Sequence, residues 1–400
     1  MRRCALPLGL AALWLSLFQP ARALTLDQAQ ALAAARSFDL SAARHEVDAT
    51  DGAVRQAGTA PNPRLNASVE DTRRDTRTTT TTLDLPIELG GKRAARLHAS
   101  RRQHELSLAQ LGEARARLRA SVAQAFFALL VAQERVALAA GSAELATRSA
   151  QAVGQRVAAG KVSPVDETRA RVDQANALLE ADEAAAELLN ARQALAALWG
   201  DAAPAFADAE GDVGLLPVRP AAAELAQELD ASPGLVAGRL EVEQRRALVD
   251  VERSRQYPDL NLSVGAKRDN ELGRTQAIVG LSIPLPLFDR NQGAVQEAAR
   301  RADKAGDELQ ATRLRRLSEL QQASTRLSVA RASALALQST VLPAARQAHE
   351  AAAKGFEAGK FGFLDVIDAQ RALLQARARY LTTLSNAHQA AADIDRLLGR

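Results

Sequence analysis

SFDLSAARHEVD (37–48) and SPGLVAGRLEVE (232–243) are two versions of one pattern, and their match decides how the chain is built. Ser37, Leu40, Ala42, Arg44, Glu46 and Val47 recur 195 positions later as Ser232, Leu235, Ala237, Arg239, Glu241 and Val242. PRLNASV (63–69) returns as PDLNLSV (258–264) at the same offset, and LDLPIEL (83–89) as LSIPLPL (281–287) at 198. VAAGKVSPVDE (157–167) returns as FEAGKFGFLDV (356–366) at 199, where Gly200 and Gly399 also correspond. Matches that keep their order and spacing mark a tandem duplication of one structural unit. The units run over 24–200 and 221–400. Between them, 201–220 carries Pro204, Gly211, Gly214, Pro217 and Pro220 and reads as the joint.

Within each unit the elements follow one order. A helix is expected over roughly 26–58 and again over 221–255. Thr25 with Gln28 makes a capping box for the first, and Ser232-Pro233 marks a cap or break inside the second. Prolines 61, 63 and 258 then stop the helices. Two segments of period two follow in each unit, at 64–70 and about 78–87, then at 259–266 and about 275–285. Leu65, Ala67 and Val69 alternate with Asn66, Ser68 and Glu70, and Leu260, Leu262 and Val264 with Asn261, Ser263 and Gly265. With polar tips DTRRDTR (71–77) and KRDNELGR (267–274), these are two β-hairpins, each with one apolar and one polar face.

A long helix rich in Ala, Leu, Arg and Glu comes next, at 93–154 and 294–354. Val122, Phe126, Leu129 and Val136, with Gln133 in step, keep the three/four spacing of coiled-coil packing. Each long helix ends at a Gly-Lys turn, and shorter helices return over 165–199 and 364–398. At 1.5 Å per residue, about 60 residues extend roughly 90 Å. The shorter helices of a unit are long enough to lie end to end beside the long one. The expected shape is a rod with the hairpins at one end and the Gly-Lys turns at the other.

Residues 1–23 read as a cleaved secretory signal: Arg2 and Arg3, an apolar run from Ala5 to Phe18, then Ala21-Arg22-Ala23. An uncleaved anchor is the competing reading. Cleavage would remove the single Cys and the single Met, and without Arg2, Arg3 and Arg22 the formal net charge falls from +4 to +1. With aromatics at 3%, that balance argues against nucleic-acid binding. No later run holds 18 uninterrupted apolar residues, so no transmembrane helix is expected, and membrane entry would have to be by strands. Strands of 8–11 residues suit a tilted bilayer crossing, yet four cannot close a barrel and open edges cannot sit in hydrocarbon. Several chains must therefore pool their strands. Asp84 and Glu88 are expected on a wet lumen. A soluble periplasmic coiled-coil scaffold would share the helices but leave the hairpins unexplained.

The tandem order of helix, strand pair, long helix, turn and helix resembles the TolC-type outer membrane efflux family over residues 24–400. APNPRL (60–65) and ELGGKRAAR (88–96) are similar to its cobalt–zinc–cadmium resistance branch. The resemblance implies a mainly α protein with membrane β: a long helical tunnel, plus four strands per chain contributing to a trimeric 12-stranded β-barrel. It implies a homotrimer embedded in outer-membrane lipid of a Gram-negative bacterium. It also implies a periplasmic adaptor (membrane fusion protein) and an RND-type inner-membrane pump as partners. Divalent heavy metals would be the cargo, with drug export the alternative.

By the same resemblance, two tip turns face the adaptor: Gly160, Lys161 and Asp166 in AGKVSPVD (159–166), and Gly359, Lys360 and Phe361 in AGKFGFLD (358–365). Either glycine can end a helix in the left-handed conformation. Asp365 and Asp368 stand three apart on one helix face. The resemblance places them in a ring at the periplasmic gate, where three chains would bring six carboxylates together. Arg169 replaces the second acid in the first unit. Better-known members tie the closed tip with a tyrosine and an arginine. This chain has Phe356 and Phe361 there, which implies closure by apolar packing. The five histidines are not spaced as metal ligands: His98 and His104 lie six apart, and His45, His349 and His388 read as isolated helix-surface residues. No nucleophile–base constellation or phosphate loop is present, so neither cofactor nor catalysis is expected.

Overall fold

The computed structural model describes residues 23–204 and 206–400. The expected signal segment lies outside them, apart from its last residue, Ala23. The first helical stretch is two helices rather than one: α1 (Leu26–Arg36), opened by the Thr25–Gln28 capping box, and α2 (Phe38–Ala57). Extended, buried Ser37 separates them. Further along the chain the pattern returns as α5 (Ala222–Leu229) and α6 (Pro233–Ser254), separated by extended, buried Ser232. Only the second break is announced by a proline. The first has no such signal, but the two units share a contact there. Gly200 and Gly399 both take φ above +80°, and a Cβ on Gly200 would sit 2.5 Å from the Phe38 ring, one on Gly399 2.3 Å from Pro233. The glycine near the end of each unit thus lies against the residue that restarts its helix, in a left-handed conformation that strains any other residue.

Strands β1 (Arg64–Glu70), β2 (Thr78–Ile87), β3 (Leu260–Asp269) and β4 (Arg274–Ser282) form one antiparallel sheet in chain order. The β2–β3 pairing joins the two units, with Leu83 opposite Val264 and Asp84 opposite Ser263. Gly265 makes that seam possible, since a Cβ there would stand 2.2 Å from the Thr81 carbonyl oxygen. β4 stops at Ser282, short of the expected 285, because Pro284 and Pro286 have no N–H for a ladder.

The first long helix, α3 (Lys92–Ala158), extends about 100 Å. Its counterpart is interrupted: α7 (Gln292–Ala336) passes through a π-helical turn at Leu337–Val341 into α8 (Leu342–Glu357). Pro343 follows that turn directly, and a wider ring accommodates its missing N–H and its clash with the preceding carbonyl. The returning helices are α4 (Pro164–Ala197) and α9 (Phe363–Leu398). Both α2 and α4 pack on α3, both α6 and α9 on α7, and α3 touches α6 and α9 across the units. One stretch of α3 (18 residues, mean hydropathy 1.4) is apolar enough by length and composition to cross a bilayer, contrary to the expectation that no such helix exists. Helix-on-helix packing accounts for it: 39% of the stretch is buried within the protein.

The main core lies midway along the rod. Phe126, Leu129 and Leu130 of α3 meet Leu195 and Trp199 at the end of α4, Ala29 and Ala33 of α1, Leu384 of α9, and Ala209 and Val213 of the joint. Each buried large side chain contributes roughly 1.5–3 kcal/mol. Gln133, in step with these residues, clasps the joint from both sides, accepting from Ala209 N–H at 3.0 Å and donating to its carbonyl at 3.3 Å. Between this core and the turns it thins to Ala143, Ala146 and Ala177, and a second small cluster around Val153, Phe363 and Ile367 closes the tip.

Candidate functional site

The sheet has two faces of opposite chemistry. The register puts Leu65, Ala67, Val69, Leu83, Leu85, Leu262, Val264, Ala277, Val279 and Leu281 on one face. On the other lie Asn66, Ser68, Thr80, Thr82, Asp84, Ser263, Lys267 and Gln276. Asp84 accepts from the Asn66 amide at 2.5 Å on this polar face. Glu88 falls beyond β2 and grips Arg96 of α3 with both oxygens, so it braces the strand-to-helix junction rather than facing the sheet. Lys92 reinforces that junction by donating to Asp259 at 2.6 Å. At the far end Asn270 ties the hairpin tips together, its N–H reaching the Arg77 carbonyl at 3.1 Å and its amide the Arg74 carbonyl at 2.9 Å. β1 and β4 keep unpaired outer edges.

At the opposite end the two Gly-Lys turns share one construction. Gly160 and Gly359 have φ of +69° and +72°, and Lys161 and Lys360 N–H donate back to the Arg156 and Gly355 carbonyls. Both lysine side chains are exposed and carry no ion pair among the described residues. After the turns the units diverge. Ser163 caps α4 through Val165 N–H, with Pro164 in the first helical turn and Asp166 3.8 Å from Arg169. Gly362 precedes α9 and has no side chain to cap with, and the Asp365 carboxylate supplies only the reciprocal half of a capping box, accepting from Gly362 N–H at 2.8 Å. Asp368, one turn on, is exposed and has no hydrogen bond or ion pair among the described residues.

Phe356 and Phe361 occupy different surroundings. Phe356 packs on Phe363 (ring centres 5.7 Å apart) over a small core of Ala150, Val153, Ala170 and Ile367. The Arg156 guanidinium lies 4.0 Å above its ring and reaches its carbonyl at 3.5 Å. Phe361 is half exposed and lies on Gly355, where a Cβ would meet its ring at 2.1 Å. Farther up, Arg371 of α9 donates to Asp173 of α4 at 2.8 Å. Arg156, Gly355, Asp173 and Arg371 escape sequence reasoning because each acts on a residue of the other unit or of the next turn. Asp173 and Arg371 leave one sequence signal, opposite charges at equivalent heights on returning helices, whereas Arg156 and Gly355 meet phenylalanines and leave none.

His388 requires a correction. It is buried, stacked on Phe127 at 3.7 Å and hydrogen-bonded through Nε2 to the Val213 carbonyl at 2.9 Å. The joint covers this part of α9, which a helix pattern alone cannot reveal. Burial holds the imidazole pKa below its ordinary 6.5 and nearby Arg219 adds to this, while the Val213 bond and Asp212 oppose it. The unfolded chain therefore binds more protons than the folded one just below pH 6.5. Stability from neutral His388 is present above about 6.5 and lost as pH falls toward the folded value. We expect melting between pH 8 and 5 to drop less in His388→Gln than in the parent; equal drops would exclude His388 as the source.

A two-faced sheet with open edges, mounted on a helical rod and ending in paired turns, defines a subunit of a membrane-inserted channel. The outer membrane efflux protein family matches at residues 30–201 and 225–400. The chain belongs to that family, which makes it an outer-membrane efflux channel subunit with the TolC-type fold. It is similar to the cobalt-zinc-cadmium resistance protein CzcC of Cupriavidus metallidurans, 55% identical with 100% of both chains covered. Among solved structures, a membrane protein from Pseudomonas aeruginosa superposes with a TM-score of 0.83 at 21% identity, covering 93% of this chain and 92% of that one. The outer membrane protein VceC from Vibrio cholerae superposes at 0.80 with 20% identity, covering 94% and 96%.

Proposed function

We propose that the protein exports divalent heavy-metal cations as the outer-membrane channel of a tripartite efflux system. Three copies close β1 edge against β4 edge into one 12-stranded barrel, with the apolar face toward lipid and the polar face toward the lumen. The α-helices continue the passage into the periplasm. Residues 24–200 and 221–400 act as repeat units around the 201–220 joint. The observation that carries the channel reading is the sheet: opposite chemistries on its faces and two unsatisfied edges, which hydrocarbon tolerates only when closed.

The cargo assignment rests on the full-length likeness to a protein named for cobalt, zinc and cadmium resistance. In this reading a periplasmic adaptor docks at Gly160, Lys161, Asp166, Gly359, Lys360 and Phe361, and an RND-type inner-membrane pump supplies the cargo. Asp365 and Asp368 form the gate, and no residue performs a chemical step. A strain deleted for the gene tests the cargo. Hypersensitivity to zinc, cobalt or cadmium, with dye and antibiotic tolerance unchanged, is expected. Sensitivity confined to organic compounds would overturn the metal assignment and leave the channel standing.

A further inference from the structure

A cavity of about 290 Å³ opens where the joint crosses α7, lined among others by Arg219, Ala222, Ser324, Thr325, Ser328 and Arg331. Two buried polar atoms on its wall, Ser324 Oγ and Arg331 Nε, have no hydrogen-bond partner. Arg331 makes no ion pair or hydrogen bond among the described residues. The neighbouring charges are already matched: Arg219 grips Asp395 at 2.8 and 2.5 Å, Arg326 donates to Asp393 at 3.0 Å, and Arg396 lies 3.9 Å from Glu319. Glu224, the acid nearest in sequence to the joint side of the lining, does not line the cavity. Thr325 and Ser328 already donate to the Gln321 and Thr325 carbonyls, so one unpaired guanidinium and the Ser324 hydroxyl are the free donors on a space large enough for a small ion. Water would satisfy the donors but leave the charge; an oxyanion satisfies both.

We propose that this cavity binds a small oxyanion, phosphate or carboxylate. Arg331 supplies the charge and its Nε donor, Ser324 the free hydroxyl donor, and the bound ion ties the joint to α7. Its charge preference is opposite to that of the proposed cargo, so the site serves the scaffold rather than transport.

The test uses the detergent-purified full-length protein, melted in phosphate, acetate or chloride at matched ionic strength. Phosphate or acetate should raise the melting midpoint in a saturable way, and the anion that does so identifies the source chemistry. Arg331→Gln should remove that rise, whereas Arg326→Gln, altering a cation already paired with Asp393, should keep it. If Arg331→Gln does not assemble, Ser324→Ala should raise the half-saturating concentration about fivefold, one neutral hydrogen bond being lost. A parent protein indifferent to both anions would overturn the site, as would a rise that survives Arg331→Gln. Destabilisation by Arg331→Gln in a parent indifferent to anions would also overturn it, assigning Arg331 to a carboxylate of a neighbouring copy.

Discussion

Val279→Arg should abolish the heat-stable, membrane-inserted form of the protein. Val279 lies near the middle of β4 on the apolar face, between Ala277 and Leu281, and is exposed in the single chain. An arginine at the midplane of a membrane β-barrel costs about 2–4 kcal/mol. In a closed ring of copies that cost is paid once per chain, so three copies approach the whole 5–15 kcal/mol stability of an ordinary folded protein. Thr82→Arg is the matched control. Thr82 sits on the polar face opposite Asn66 and Gly265, where a guanidinium meets water and Asp84 lies two residues along the strand. Outer-membrane fractions run on a gel without boiling separate the outcomes. If Val279→Arg gives the same slow-migrating, heat-dissociable band as the parent, the apolar face does not meet lipid.

The second large effect concerns the tip. Neutralising Asp365 and Asp368 should raise single-channel conductance and weaken block by divalent cations, because a narrow ring of carboxylates binds the ions it restricts. The hydrogen bond from Gly362 N–H to Asp365 dictates the choice of variant. Alanine at 365 removes both the charge and the hydrogen bond that holds the start of α9, and loss of such a bond costs about 1 kcal/mol. Asparagine keeps an oxygen to accept the bond while removing the charge. Asp365→Asn/Asp368→Asn should therefore behave as an opened gate with α9 intact. Unchanged conductance in the asparagine pair, with altered conductance in Asp365→Ala, would make Asp365 a helix cap and remove both acids from the gate.

Periodicity and turn chemistry made much of this architecture legible in the sequence. The hairpins were readable because strands alternate with a period of two and their tips are polar. The Gly-Lys turns were readable because glycine alone relieves the strain of a left-handed helix end, and the duplication printed each signal twice. It also exposed the broken helix in the second unit, where Pro233 follows Ser232. The corresponding break at Ser37 has no proline and went unread, since its visible partner, Gly200 beneath the Phe38 ring, lies far along the chain. Pro343 did stand in the sequence inside a long helical pattern, but only the fold shows that the helix survives it by widening one turn instead of ending.

At the tip, the sequence located Asp365 and Asp368 but not their difference: one is engaged with Gly362 N–H, the other stands free. That distinction depends on the backbone path into α9. The sequence by itself determined the repeat, the order of elements and which residues could line each face. Tertiary structure alone decided which distant groups meet: Arg371 with Asp173, Arg156 over Phe356, His388 under the joint, and Arg331 on the cavity wall beside the joint. Local periodicity follows from bonds and dihedrals a few residues long. Pairings between residues well over a hundred positions apart leave no such trace, because they exist only once packing has brought the helices side by side.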